Sequence, residues 1–339
     1  MPTYFTSSRL LRQTIFSFGC LGLWPFLELD VEANFANEFE LLLLQERDVG
    51  GVSNVLQDPH IFDENEDSNV FRRTANYYSE VLAESRSILL ELQSQQDSLQ
   101  NQGPEKLTGL MLSSWLIFGF LACHPHRVVP LICFPEEDTH EVDVLELVSG
   151  MVNLSLGSLN TLRKSDIGDL FENDELAMIT TSKVKIVDEL RKQLYSYYHS
   201  IAFVDLGPQS VLEIQSLNHA LDMLAKAIAL SVKFNYPVAL FRWLFTINVD
   251  FGQLARKKNP MALRILFVYS CLCLYCRFCL HYECIWRDYI KWFHDEHIPL
   301  SEFDNRIYHY VIIRDQKVIN DKYHFLSKFD IWQNEFDIK

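Results

Sequence analysis

A chain of 339 residues, 48% of them hydrophobic and 13% aromatic, can bury a large core and is too apolar to stay unfolded. Its 45 acidic and 30 basic side chains give a net charge of −15, which repels phosphate backbones and excludes tight non-specific nucleic-acid binding by these residues. Only 12 Gly and 11 Pro, with few alternating runs between turns, argue against a β-sandwich or barrel and for an all-α fold, one irregular multi-helix domain.

In chain order, Leu10, Leu11, Ile15, Phe18 and Leu21 predict a first helix over Ser7 to Leu23, closed by Trp24-Pro25. Phe35, Phe39 and Leu41 to Leu44 suggest a short helix from Val31 to Gln45. Gly50-Gly51 and the acidic run Asp63 to Asp67 then form an exposed loop. Apolar positions at three- and four-residue intervals predict a long amphipathic helix over Ser68 to Leu92, ended by the polar tract Gln93 to Gln102 and Gly103-Pro104. Lys106 to Ala122 is apolar nearly all round. Arg127 to Phe134, between prolines, reads as short irregular or strand-like chain.

Helical spacing returns over Val142 to Leu162 and Thr181 to Tyr198. Ser210 and Glu213 read as a capping box opening a helix that ends at Asn235-Tyr236-Pro237. Val238 to Thr246 is short and rich in large side chains, and Phe251 to Lys258 leads into the most apolar stretch of the chain. There Asn259 fits a cap and Pro260 the first helical position, and Leu263 to Leu280 is apolar on all faces, which predicts a helix surrounded by others at the centre of the core. The unbroken apolar run, Ile265 to Cys276, lies between Arg264 and Arg277 and falls short of the roughly 20 residues that a membrane span needs. The tail, 301–339, is expected to pack on a domain over 1–300, with RIYHYVIIRDQKVI forming a short hairpin around Arg314-Asp315-Gln316.

No secretory signal stands out, and the eight cysteines sit mostly in apolar surroundings, so buried free thiols in a reducing compartment are expected. Cys273, Cys276 and Cys279 share the spacing of part of an iron–sulfur run. Large apolar residues between them and no Cys-Pro make ordinary helix packing the better reading. His124, His126, His294 and His297 have no thiol companions at zinc-ligand spacing. Asp63-x-Asn65-x-Asp67 lacks the Gly and the bidentate Glu of a calcium loop. With no phosphate loop, nucleophile elbow or H-E-x-x-H pair, neither a cofactor nor catalytic residues are expected. Arg256-Lys257-Lys258 serves either nuclear import or the end of the preceding helix, the latter favoured. Arg277 and His281 are expected to pair with carboxylates such as Glu283 or Asp288. Trp115, Phe118, Phe120, Phe241, Trp243, Phe245, Tyr269 and Tyr275 line either a lipid pocket or plain core.

One segment, Phe251-Gly252-Gln253-Leu254-Ala255-Arg256-Lys257-Lys258-Asn259-Pro260-Met261-Ala262-Leu263-Arg264-Ile265-Leu266, joins an aromatic, a short basic loop, Pro-x-Ala-Leu and an apolar helix. With Trp286-Arg287-Asp288-Tyr289 after it, and Leu10 to Leu23, Ala75-Asn76-Tyr77-Tyr78 through Leu92, Leu107 to Leu112 and Val144 to Met151 before it, the ordered set from Leu10 to Phe293 resembles the regulatory domain of fungal zinc binuclear cluster transcription factors, in particular the sterol-uptake-control branch. The family's DNA-binding cluster of six closely spaced cysteines does not occur in these 339 residues.

The resemblance implies an all-helical domain of a transcription regulator, shared between nucleus and cytoplasm, that holds a sterol or other apolar small molecule and meets transcriptional co-regulators or import machinery. It leaves room for a homodimer and none for a membrane span or direct nucleic-acid binding. The family's ligand residues carry no strict motif, so burial and position place the pocket at Leu112, Trp115, Phe118, Phe241, Phe245, Phe267 and Tyr269. The rivals are a ligand-free helical interaction scaffold and, further off, a lipid-handling enzyme.

Overall fold

The computed structural model describes residues 8–27, 77–88, 104–123, 129–134, 142–157, 162, 164, 184–201, 208–234, 238–275, 284–297 and 300–320. The fold is all-α, and among the described residues there is no strand. The helices are α1 (Arg9–Leu27), α2 (77–88), α3 (Pro104–Cys123), α4 (Val144–Gly157), α5 (Lys185–Ile201), α6 (Pro208–Phe234), α7 (Val238–Phe241) running into a 3₁₀ turn (Arg242–Phe245), α8 (Val249–Arg256), α9 (Pro260–Tyr275), α10 (Ile285–Glu296) and α11 (Glu302–Asn320). The expected helix over Val31 to Gln45, the acidic loop Asp63 to Asp67, the tract Gln93 to Gln102, and Cys276, Cys279, Arg277, His281, His124 and His126 lie outside the described residues.

The chain groups into two compact units where the sequence suggested a single domain over 1–300: Met1–Leu121 with Gly157–Asp169, and Ala122–Leu156 with Leu170–Lys339. In the first, α1, α2 and α3 bury Leu10, Leu11, Val81, Leu110, Met111 and Phe118. Two glycines on α3 permit close approach to α1: a methyl group at Gly119 would stand 3.0 Å from the Phe18 ring, and one at Gly109 would stand 3.1 Å from Ser8 Oγ. Arg9 donates to Glu80 at 2.7 Å and Gln13 donates to the same carboxylate, tying α1 to α2. Tyr78 of α2 stacks on Phe120 of α3 at 4.3 Å. α1 carries Trp24 and Pro25 within it and ends at Leu27, beyond the expected stop; Pro25 lies in the last turn, so the helix runs only two residues past the bond that proline removes.

The second unit is organised on α9. Asn259 caps it, its Oδ1 accepting from Met261 N–H at 3.0 Å and Ala262 N–H at 3.2 Å, and Pro260 opens it. From Met261 to Tyr275 every residue except Arg264 is buried, because α6, α8, α10 and α11 pack around it. α5 and α6 run antiparallel, tied by Arg191 to Asp222 near their middles and by Tyr198 Oη donating to Glu213 at 3.0 Å towards the end of α5. The Ser210–Glu213 capping box therefore does not form: α6 already begins at Pro208, and Glu213 is taken by Tyr198.

The tail departs most from expectation. RIYHYVIIRDQKVI is part of helix α11, not a hairpin: Ser301 Oγ accepts from Asp304 N–H at 3.1 Å, and Asp304, Ile307 and Val311 fall on one buried face at spacings of three and four. Tertiary burial of that stripe overrides the strand preference of its aromatic and β-branched residues.

Candidate functional site

The short α7 and its 3₁₀ turn lie against α6 and bury Leu240, Trp243 and Leu244, Trp243 reaching α8 and α9. Trp243, fully buried, donates Nε1–H to Ala220 O at 2.9 Å and lies 4.4 Å from the Tyr269 ring and 5.7 Å from Phe251. Tyr269 meets Trp286 of α10 edge-on at 5.3 Å, and Trp286 meets Phe241 at 6.4 Å. The Tyr269 hydroxyl donates to Phe241 O at 3.4 Å. These are the offset and T-shaped geometries that aromatic rings prefer to one another.

A second stack joins α9 to α10: Phe267 on Phe293 at 4.5 Å, and Phe293 on the His297 imidazole at 4.2 Å. Burial holds the Tyr289 phenol, which donates to Leu263 O at 3.0 Å, well above its ordinary pKa.

The polar centre of this unit is Asp143, 1% exposed. It caps α4 through Glu146 N–H at 2.7 Å, accepts Cys133 N–H at 3.0 Å, and takes Arg256 Nε at 3.0 Å and Nη2 at 2.7 Å. Lys258 lies 5.0 Å from the centre of the Phe134 ring, which stacks on Trp292 at 4.6 Å. Two members of the basic triplet are thus engaged in holding segment 129–134 and α4 against the end of α8.

The seven residues assigned to a pocket fall in both units. Leu112, Trp115 and Phe118 belong to the first unit, where Leu112 packs with Leu11 and Trp115 leans on that pair. Phe241, Phe245, Phe267 and Tyr269 belong to the second, where Phe241 and Tyr269 meet Trp286. Phe267, two residues before Tyr269 and so on the other side of α9, joins the Phe293 stack. Phe245, in the 3₁₀ turn, is half-buried. Trp286 and Asp143 were missed, although Asp143 followed by Val144, Leu145 and Glu146 has the pattern of a helix start.

Among the described residues no group of three or more His, Cys, Asp or Glu gathers to hold a metal, and Cys133, Cys271, Cys273 and Cys284 are buried free thiols. No described helix is long and apolar enough to cross a membrane. No family model, no curated protein and no solved structure matches the chain.

Proposed function

We propose that this chain is the regulatory domain of a transcription regulator of the fungal zinc binuclear cluster type, shared between nucleus and cytoplasm, and that it works through contacts with co-regulators or import machinery rather than by catalysis. One observation carries the reading. The segment on which the resemblance rests, Phe251 to Leu266, forms the helix–turn–helix of α8 and α9 at the centre of the larger unit, and each distinctive residue has a structural task. Phe251 packs on Trp243, Arg256 clamps Asp143, Asn259 caps α9 and Pro260 opens it. The test is to tether the full chain to a heterologous DNA-binding domain in a fungal cell. Altered reporter transcription is the expected result; unchanged output from a stably accumulated fusion overturns the reading.

Within it, the ring contacts at Tyr269 favour an interaction module over a sterol sensor, since the rings that would surround a ligand contact each other instead. Ergosterol-like lipids are then expected to leave the melting temperature unchanged, and a saturable rise would restore the sensor.

A further inference from the structure

α11 lies on α9 through a narrow stripe. Of its side chains up to Ile312, Asp304, Ile307 and Val311 are buried, while Glu302, Asn305, Arg306 and His309 are exposed. α10, which packs on the same central helix, buries Ile285, Trp286, Arg287, Tyr289, Ile290 and Phe293. At about 25 cal/mol per Å² of apolar surface removed from water, the described side chains of α11, with Ile307 and Val311 buried and Phe303, Tyr308, Tyr310 and Ile312 half-buried, contribute less than the α10 face.

The stripe's polar member returns little of the difference. Asp304 is fully buried; its Oδ2 accepts from Arg264 Nε at 2.8 Å, but its Oδ1 finds no donor among the described residues. Desolvating a carboxylate to pair only one of its oxygens leaves a small net gain, and Arg264, 27% exposed, can recover its hydration if the pair parts. Ring contacts of α11 include Tyr308 on His294 at 4.1 Å and Tyr310 beside Tyr275 at 5.7 Å, both from half-buried rings.

We infer that α11 is a strap that opens from α9 while the rest of the larger unit stays folded, uncovering the α9 stripe of Arg264, Val268, Cys271 and Tyr275. Elements with few buried contacts are the ones that open sub-globally, and this one covers a helix buried at every residue from Met261 to Tyr275 except Arg264. Such an opening would bring buried side chains of α9 to solvent. Its occurrence does not depend on the regulatory reading, because the measurement involves no transcription.

Cys271 reports the event. It is fully buried and close enough to Asp304 to feel its charge, whereas Cys273, also buried, is turned about 200° around the helix. On the full chain, alkylation of each thiol and amide hydrogen exchange would be followed by mass spectrometry, peptide by peptide. Cys271 and the α11 amides are expected to react together, at least about tenfold faster than Cys273 and the α10 amides. Asp304→Asn should quicken Cys271 further and leave Cys273 unchanged. Val311→Ala, which thins the stripe without touching the charge, should do the same if the first variant fails to fold. Cys271 and Cys273 reacting at one shared rate, or α11 amides protected as strongly as those of α10, would overturn the proposal.

Discussion

At the scale of single residues, polar groups decide which helix ends meet. Asp143 accepts from two backbone N–H groups and from both prongs of Arg256, so a carboxylate that would be costly to bury alone is fully occupied. Tyr198 does the same work elsewhere: it donates to Glu213 at 3.0 Å and accepts from the Asn259 amide at 3.3 Å, joining α5, α6 and the cap of α9. Burial pushes its phenol up to about 12 from 10.0, the Asn259 donation pulling down and Glu213 adding to the rise. The folded protein keeps a proton that the unfolded chain releases near pH 10, so the contribution is whole below pH 10 and lost as pH climbs towards 12. Urea midpoints should therefore fall through this range, with Tyr289 adding a decline of the same sign. Tyr198→Phe should flatten part of that fall, and the same change at exposed Tyr195 should not. The Asn259 cap was legible because capping is local; the Arg256–Asp143 pair, 113 residues apart in sequence, was not, since nothing local announces it.

Elements were legible where apolar spacing was sustained and their ends were chemically marked. Pro260 and Asn259 opened α9 as expected, and α6 stopped at Phe234, before the Asn-Tyr-Pro signal. α11 was misread because Ile307, Tyr308, Tyr310, Val311, Ile312 and Ile313 prefer strands locally, and only its neighbour α9 selects the helical stripe. The turn between α8 and α9 shows how an element can end against local preference. Lys258 N–H bonds Ala255 O at 2.9 Å and Asn259 N–H bonds Leu254 O at 3.0 Å, a double closure that requires a left-handed residue, and Lys258 takes φ 56° to supply it. A non-glycine residue there costs about 1 kcal/mol, while the Lys258 contact with Phe134 returns about 0.5 kcal/mol. Lys258→Gly should thus raise the urea midpoint slightly. Lys258→Ala should lower it, keeping the strain and losing the ring.

At the scale of the molecule, the chain has two cores: Leu112, Trp115 and Phe118 lie in one compact unit, and Phe241, Phe245, Phe267 and Tyr269 in another. Each unit has its own fully buried side chains, Leu11 in the first and Trp243, Trp286 and Phe293 in the second. Cooperativity belongs to a core, so heat should unfold the chain in two calorimetric transitions, with a summed enthalpy above the van 't Hoff value of either. Leu11→Ala removes a side chain that is 0% exposed and packs on Leu112, at a cost of about 2–5 kcal/mol, and should lower only the transition of the first unit. Asp143→Ala uncaps α4 and leaves Cys133 N–H without its acceptor at a cost of about 1–3 kcal/mol, and should lower only the other. A single transition displaced by both substitutions would mean that the two cores melt as one, and that the groups gathered around α9 depend on the α1–α3 unit for their stability.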